Sequence, residues 1–483
     1  MIKRALIISP HPDDEINLAG QLLIVMNKYN IESFILYTTN GDSEKKINNK
    51  RIYEAIAASK LLGVKEQNVI FLGYPNEWNS NVHIYNEEQE KCMFSKLGKT
   101  HTSSISEHPE YCFNKCGTHH EFTRKNFKND FKEAILCINP NLIICPEFDS
   151  HPDHRATSLL FDEIMGELLK ENHKFRPIVL KKYIHEGVWN GPKDYYNIPL
   201  IPTRTLGARV YSGCMHDLDS PNNKWIERLS FETDGSTKTE LLKDNIIYKA
   251  AKLHKVTTAW YEMQRVINAD VVYWQRPTQN SLMNNASISA SSGDIKYIND
   301  FKLFDSSDIM ITDEPFLNSE IFCWIPDEAD QEKTISIELQ DKELLTEIRI
   351  YEDCNKKNHI KKMEVWIDES MYQCIELEPD GTRTKVLLDK PTEVKKIKFI
   401  VLDWVGKPAI AEIELLNMVM EKTTLFPKYN NIPIASKHTV KQSVEKGLMI
   451  LKFLIVFKAN YEMKRIFKKF CKKRKIRQNE QGE

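Results

Sequence analysis

The sequence predicts an α/β domain built on a parallel sheet, an antiparallel β-sandwich after it, and a basic helical tail. Three observations carry this expectation. Short apolar runs alternate with helix-period stretches up to residue 169, and residues 172–280 are mixed. The apolar period changes to two from residue 284, and the last segment joins an apolar run to dense Lys and Arg. At 483 residues the chain is longer than one ordinary core supports, which agrees with two domains and an appendage.

In the first part, 5–9, 33–39, 69–72 and 142–146 are compact and rich in Ile, Leu and Val, as buried parallel strands are. Between them, 16–29, 48–62, 123–137 and 155–169 repeat apolar residues every three or four positions, the helical spacing. Strand–helix alternation predicts helices on both faces of one sheet, with function at the carboxyl ends of its strands. No GxGxxG follows the first strand, so a dinucleotide cofactor has no support. Residues 76–121 read as a long irregular loop over the strand ends, suited to choosing a substrate. A further helical pattern runs over 239–269. The first domain is taken as 1–280.

The second domain, 284–417, alternates apolar and polar residues at 334–339, 347–351, 363–367, 396–400 and 411–415, separated by turn-rich segments. The remainder, 418–483, holds the apolar run 447–457 and a basic end. From Lys458 onward ten Lys/Arg stand against three Glu, a surplus of seven; the whole chain is −1, so the residues before it carry about −8. Eleven residues, apolar except for Lys452, are too few to span a bilayer, and the expected partner of such a basic amphipathic helix is an anionic membrane surface; a solvated charge run or a protein-contact helix is the alternative. No nucleic-acid partner is expected. Met1-Ile-Lys-Arg before a five-residue apolar run does not read as a secretory signal, so the expected location is cytoplasmic, peripheral on the cytoplasmic membrane face if the tail binds lipid. The ten cysteines then read as thiols rather than a disulfide framework.

Chemistry concentrates in two short motifs, each just after a predicted strand and before a helix: Pro10-His11-Pro12-Asp13-Asp14-Glu15 and His151-Pro152-Asp153-His154. If both strands lie near the sheet centre, the motifs meet. His11, Asp14 and His154 then supply two imidazoles and a carboxylate with one position left for water, the ligand set of a catalytic zinc. One Zn2+ per chain is expected. Asp13 is placed to take the water's proton and pass it to a leaving amine, and His151 to support an oxyanion. A helix cap beside a surface histidine is the bland alternative for either motif alone.

The pair of motifs resembles the PIG-L/LmbE-like de-N-acetylase family, which carries [A/P]HPDDE after its first strand and HPDH further on. Weaker matches run along 1–275: Thr39-Asn-Gly-Asp42, Arg51 with Glu54, Leu62-Gly-Val64, Phe71-Leu-Gly-Tyr-Pro75, Phe122-Thr-Arg-Lys-Asn126, and Lys249 with His254. The resemblance implies a Rossmann-like fold, zinc on His11, Asp14 and His154, Asp13 as general base and His151 on the oxyanion side. It also implies a substrate contact at Arg51, for which a solvated helix residue is the alternative. Asn76 stands where the family often has Asp, a second substrate position. His254 opens His-Lys-Val-Thr where the family often reads His-x-Ser-Gln, and receives no role. The implied substrate is an N-acetylated amino sugar, mostly N-acetylglucosamine joined to another group; a lipid-linked sugar of cell-surface polysaccharide assembly would suit a membrane-seated tail.

The second domain resembles the coagulation factor type C (discoidin-like) family, through Asn285-Ala-Ser-Ile-Ser-Ala-Ser-Ser-Gly293, Trp324-Ile-Pro, and Ile410-Ala-Glu-Ile-Glu-Leu415. That implies a jelly-roll sandwich whose loops often bind glycans. Trp366 and Trp404 read either as sugar-stacking or as core residues. Cys92, Cys112 and Cys116 with His119-His120 read either as a second metal site or as incidental loop thiols. Two rival functions remain open: a glycan-binding or scaffolding protein with an idle metal site, and a hydrolase of a non-sugar N-acyl amide.

Overall fold

The computed structural model describes residues 2–42, 49–76, 84–85, 89–149, 151–172, 174–184, 203, 223, 227–257, 267–279, 281–305, 319–418, 439–448, 451 and 455. The first domain holds β1 (Arg4–Ser9), α1 (Asp14–Lys28), β2 (Glu32–Thr39), α2 (Lys50–Leu61), β3 (Val69–Tyr74), α3 (Tyr111–Cys116), α4 (Arg124–Ile138), β4 (Leu142–Pro146), α5 (Pro152–Glu171) and β5 (Ile178–Lys182). After them come β6 (Leu229–Glu232), α6 (Ile246–Ala251) and β7 (Asp270–Arg276). Strands β3-β2-β1-β4-β5 run parallel in that order, and β7 and β6 extend the β5 edge antiparallel. The parallel α/β class is therefore as predicted.

Alternation along each strand explains why the sheet is covered twice. Ala5, Ile7, Ile35, Tyr37, Leu142 and Ile144 face a core shared with α1, α2 and α6. Leu6, Ile8, Leu36, Ile143 and Cys145 face the opposite core, with α4 and α5. Neither face reaches water, hence the unbroken apolar runs in the sequence.

The helix expected over 239–269 does not form as one unit. Its described part contains only α6, preceded by a short 3-10 turn at Leu242–Asp244. The Asn245 side chain accepts from the N–H groups of Ile247 and Tyr248, a cap that fixes the helix start there. Residues 258–266 lie outside the described residues.

The second domain is antiparallel: β8 (Ala286–Ala290), β9 (Thr334–Glu352), β10 (His359–Ile367), β11 (Ser370–Ile375), β12 (Thr384–Val405) and β13 (Ile410–Leu416). Their order is β11-β10-β12-β9-β13, with β8 also on β9. The runs 334–339 and 347–351, expected as two strands, are the ends of β9. Its first half pairs with β8 and its second with β13, and the register against β12 shifts between. Trp324 is fully buried in the core with Ile335, Ile348, Val365, Phe399 and Ile413. Trp404 packs against that core from its edge, and the Trp366 indole N–H donates to Glu364 Oε2 at 2.9 Å.

The two domains share packing. Phe301 and Phe304 enter the apolar layer of α4 and α5, and Phe304 meets Phe148 edge-on at 4.6 Å. Tyr85 donates to Asp305 at 3.0 Å, Lys302 pairs with the same carboxylate at 2.6 Å, and Arg276 lies over the Phe301 ring at 4.2 Å. Gly166, inside α5, stands where an added Cβ would overlap the Asp300 carbonyl oxygen. On an open helix Gly→Ala gains about 1 kcal/mol. Here Gly166→Ala is expected to cost about 1–3 kcal/mol through overpacking. Chemical denaturation measures it, and a net gain would show that the close approach does not persist in solution.

Candidate metal centre and active site

Strands β1 and β4 are neighbours at mid-sheet, Ala5 opposite Leu142 and Ile7 opposite Ile144. The loops leaving them therefore abut, and α1 and α5 start from those loops with acidic first turns. Pro10 stops the β1 ladder; its carbonyl accepts from the hydroxyls of Thr39 at 2.9 Å and Thr38 at 3.1 Å. The His11 carbonyl accepts from the N–H groups of Asp13 at 2.8 Å and Asp14 at 3.2 Å, which turns the chain sharply. Asp14 Oδ2 in return accepts from the His11 N–H at 2.9 Å.

Three donor atoms then converge from the two loops. His11 Nδ1 is 3.0 Å from Asp14 Oδ2, His154 Nε2 is 3.1 Å from the same oxygen, and the two nitrogens are 3.3 Å apart. Ligand atoms 2.0–2.1 Å from a tetrahedral zinc stand about 3.3 Å from one another. The outer nitrogens are engaged as metal-binding imidazoles usually are: His154 Nδ1 donates to Asp149 at 2.8 Å and His11 Nε2 to Asp153 at 3.2 Å. That hydrogen bonding points the lone pair of each inner nitrogen at the shared centre. The donor set fits a zinc ion.

The electrostatics agree. Burial alone would lower the His154 pKa, but the carboxylates of Asp149 and Asp14 outweigh it and push it up to about 10. Burial would raise the Asp14 carboxyl, yet His154 and His11 hold it well below the ordinary carboxylate range. The cluster is built for positive charge.

His151 joins this group: a ring nitrogen of His11, His151 and His154 each lies within 4.8 Å of the other two. His151 caps α5, and its Nδ1 accepts from the Asp153 N–H at 3.2 Å. An accepting Nδ1 leaves the neutral ring's proton on Nε2, making that atom a donor. Asp13 is held by Arg51, whose Nη2 donates to Asp13 Oδ1 at 2.9 Å and to the Pro12 carbonyl at 3.3 Å. Arg51 is 7% exposed, so it is not the solvated helix residue of the alternative. Gly41 makes this fit: its φ is +77°, and a Cβ there would come 2.7 Å from Arg51 Cβ. Asn76 is buried at the end of β3, its N–H donating to Asp42 Oδ1 at 3.1 Å. Lys99, from the segment 89–121, pairs with Asp42 Oδ2 at 2.7 Å.

Asp149 and Asp153 are missed by the sequence reading, although both flank or lie within the second motif. Glu15 and His254 are missed too: both are buried, with His254 Nε2 2.6 Å from Glu15 Oε1. Their separation of 239 residues hides the pair from any local pattern.

The fold and this site belong to a parallel α/β domain with a histidine–carboxylate cluster at the strand ends that could hold a metal ion. Residues 6–165, about a third of the chain, match the family model PIG-L: GlcNAc-PI de-N-acetylase. No curated protein matches the chain. Among solved structures, the chain is similar to the N,N'-diacetylchitobiose deacetylase of Pyrococcus horikoshii, at 18% identity over 38% of this chain and 62% of that one, TM-score 0.26. It is also similar to the family 32 carbohydrate-binding module of Clostridium perfringens NanJ, solved with galactose, at 18% identity over 28% of this chain and 97% of that one, TM-score 0.22. A third is the Streptococcus pneumoniae fucose binding module SpX-3, at 14% identity over 29% of this chain and 98% of that one, TM-score 0.24.

If Asp149 positions His154 as described, Asp149→Asn lowers zinc affinity by about 10–100-fold while leaving the fold intact. Competition against a chromogenic chelator reads this, and unchanged affinity would remove Asp149 from the centre.

Proposed function

We propose that this chain is a zinc-dependent N-deacetylase acting on an N-acetylglucosamine-type sugar or glycoconjugate. The observation that carries the reading is the triangle of His11 Nδ1, Asp14 Oδ2 and His154 Nε2, with edges of 3.0, 3.1 and 3.3 Å. The family match over 6–165 supports the reaction class.

Zinc held by His11, Asp14 and His154 would polarise an amide carbonyl and bring the pKa of a water toward about 7. Asp13, fixed by Arg51, takes the proton of the water whose oxygen adds to the carbonyl carbon. The Nε2–H of His151 donates to the oxygen of the tetrahedral carbon. Asp13 then delivers its proton to the amine nitrogen, the C–N bond breaks, and acetate and a free amino sugar leave. Arg51 acts as a positioning residue through Asp13. Asn76 and the segment 89–121, seated on the ends of β2 and β3, form the rim that meets the sugar. The β-sandwich is read as a glycan-holding module.

Metal content and acetate release from small N-acetylglucosamine conjugates test this. Wild type is expected to hold zinc in this centre and to turn over. Asp13→Ala keeps the metal and loses at least about 100-fold in kcat. His154→Ala loses both. Metal binding without acetate release from any sugar would favour a non-sugar amide, and no metal in this centre would favour the glycan-binding protein.

The tail reading rests on a row of exposed apolar residues, Val440, Val444, Leu448, Leu451 and Ile455, leading into the basic end. No helix among the described residues is long and apolar enough to cross a membrane, and the basic residues from Lys458 lie outside the described residues. We place the chain in the cytoplasm, peripheral on an anionic leaflet. The full chain is expected to co-sediment with phosphatidylglycerol vesicles and a chain ending at residue 457 to stay in the supernatant. Equal behaviour of the two would end the membrane reading.

A further inference from the structure

Asp13 and Arg51 sit on different helices, so neither helix alone sets the distance between them. Asp13 caps the start of α1, and Arg51 lies in the first turn of α2. A third element reaches both. Helix α6 packs into the apolar layer of α1 and α2 through Ile247, Ala250 and Ala251, and the chain leaves it by a tight turn. There the Leu253 N–H donates to the Ala250 carbonyl at 3.0 Å, the His254 N–H to that of Ala251 at 3.2 Å, and the Lys255 N–H to that of Leu253 at 2.9 Å.

Two contacts leave this turn for the two helices. His254 Nε2 lies 2.6 Å from Oε1 of Glu15, which follows Asp13 in the first turn of α1. The Val256 N–H donates at 3.1 Å to Oε2 of Glu54, one helical turn after Arg51 on α2. The first contact is deep in the domain, with His254 1% exposed and Glu15 0%. Among the described residues, Glu15 Oε2 and His254 Nδ1 have no hydrogen-bond partner, so one bond carries the whole contact. Burial would lower the His254 pKa, yet the Glu15 carboxylate, and after it Asp13, raises it. Removing one partner of such a pair leaves the other's charge buried and unmet.

We propose that the turn 254–256 clamps the start of α1 to α2 and so holds Asp13 at the Arg51 guanidinium, with His254 a positioning residue for the proton-transferring carboxylate. The proposal rests on the reading of Asp13 as the base of a deacetylase. Arg51 Nη2 meets Asp13 Oδ1 at 2.9 Å only while the two helix starts keep this separation. The Glu15 contact fixes one start and the Glu54 contact the other, both from a single rigid turn. A shift of about 1 Å in the first turn of α1 would carry Asp13 off its line to the attacking water, a misplacement that costs about 100-fold in rate. The effect of His254 passes through Asp13, and its removal leaves the His11, Asp14 and His154 donors in place.

Two readouts on the full chain separate this clamp from general support of the fold. With 15N-labelled arginine, the Arg51 side-chain N–H signals, assigned through Arg51→Lys, are expected to stay resolved where Asp13 holds the guanidinium still. Asp13→Ala and His254→Ala average them, and His254→Gln, which keeps a donor beside Glu15, restores them. In turnover of an N-acetylglucosamine conjugate, His254→Ala lowers kcat about 10–100-fold with KM and zinc content unchanged. Placed on Asp13→Ala it lowers kcat no further, because both changes act through one carboxylate. Unchanged Arg51 signals in His254→Ala would overturn the proposal, as would loss of zinc or a full further loss of kcat on Asp13→Ala. Should His254→Ala fail to fold, Glu54→Ala, at a part-exposed position, reads the same clamp, and unchanged signals there overturn it. Arg51 signals averaged by these changes in a chain that releases no acetate from any sugar would sink the deacetylase reading and keep the clamp.

Discussion

Adjacency of β1 and β4 is the constraint on which the rest depends. His11 and His154 are 143 residues apart in sequence, yet their ring nitrogens stand 3.3 Å apart because two neighbouring parallel strands end at the same level. Parallel strands cannot be joined by a tight turn, so the intervening chain must cross the sheet faces as helices and return. The apolar alternation of Leu6 and Ile7, or Ile143 and Ile144, pins the register against both cores. A one-residue slip of either strand would turn its apolar residues to the wrong faces and part the two loops.

A second constraint is charge. Asp14, Asp149, Asp153 and His154 are almost entirely removed from water. Buried carboxylates are tolerable only when each meets a proton, a cation or several N–H groups. The arrangement answers this in layers, with histidines between an inner carboxylate and outer ones. Arg51 against Asp13 and His254 against Glu15 continue the same alternation along the start of α1. The catalytic geometry and the electrostatic solvency of the domain are thus one arrangement.

The α/β class, the strands 5–9 and 142–146, and the two motifs were legible because each rests on local pattern: apolar runs, helical spacing, and His-Pro-Asp turns at strand ends. Asp149 was hidden because nothing local separates a carboxylate that holds an imidazole from one that faces water. The Glu15–His254 pair was hidden by sequence distance. The 239–269 helix was overread because its apolar spacing is real, while the Asn245 cap and the turns beside it divide the stretch. The two expected strands within β9 merged because, past the polar, exposed Gln340–Lys342, the residues Glu343, Leu344 and Leu345 still pair with β12. Segment 76–121 reads as a loop since its order in 89–121 comes from side-chain and backbone contacts between distant positions, such as Thr102 with His120 and Lys99 with Asp42.

The seam between the domains bears on how a long glycan would be handled. Phe304 leans on Phe148, the residue just before Asp149, and Asp300 lies against Gly166 on the helix that begins beside His154. The sandwich is thus braced against the elements that carry Asp149 and His154. Anything gripped by the sandwich is registered to the crevice at a set offset and angle. Such a coupling works as a gauge rather than a leash: along a repeating polymer, the positions reached would be counted from the point of grip.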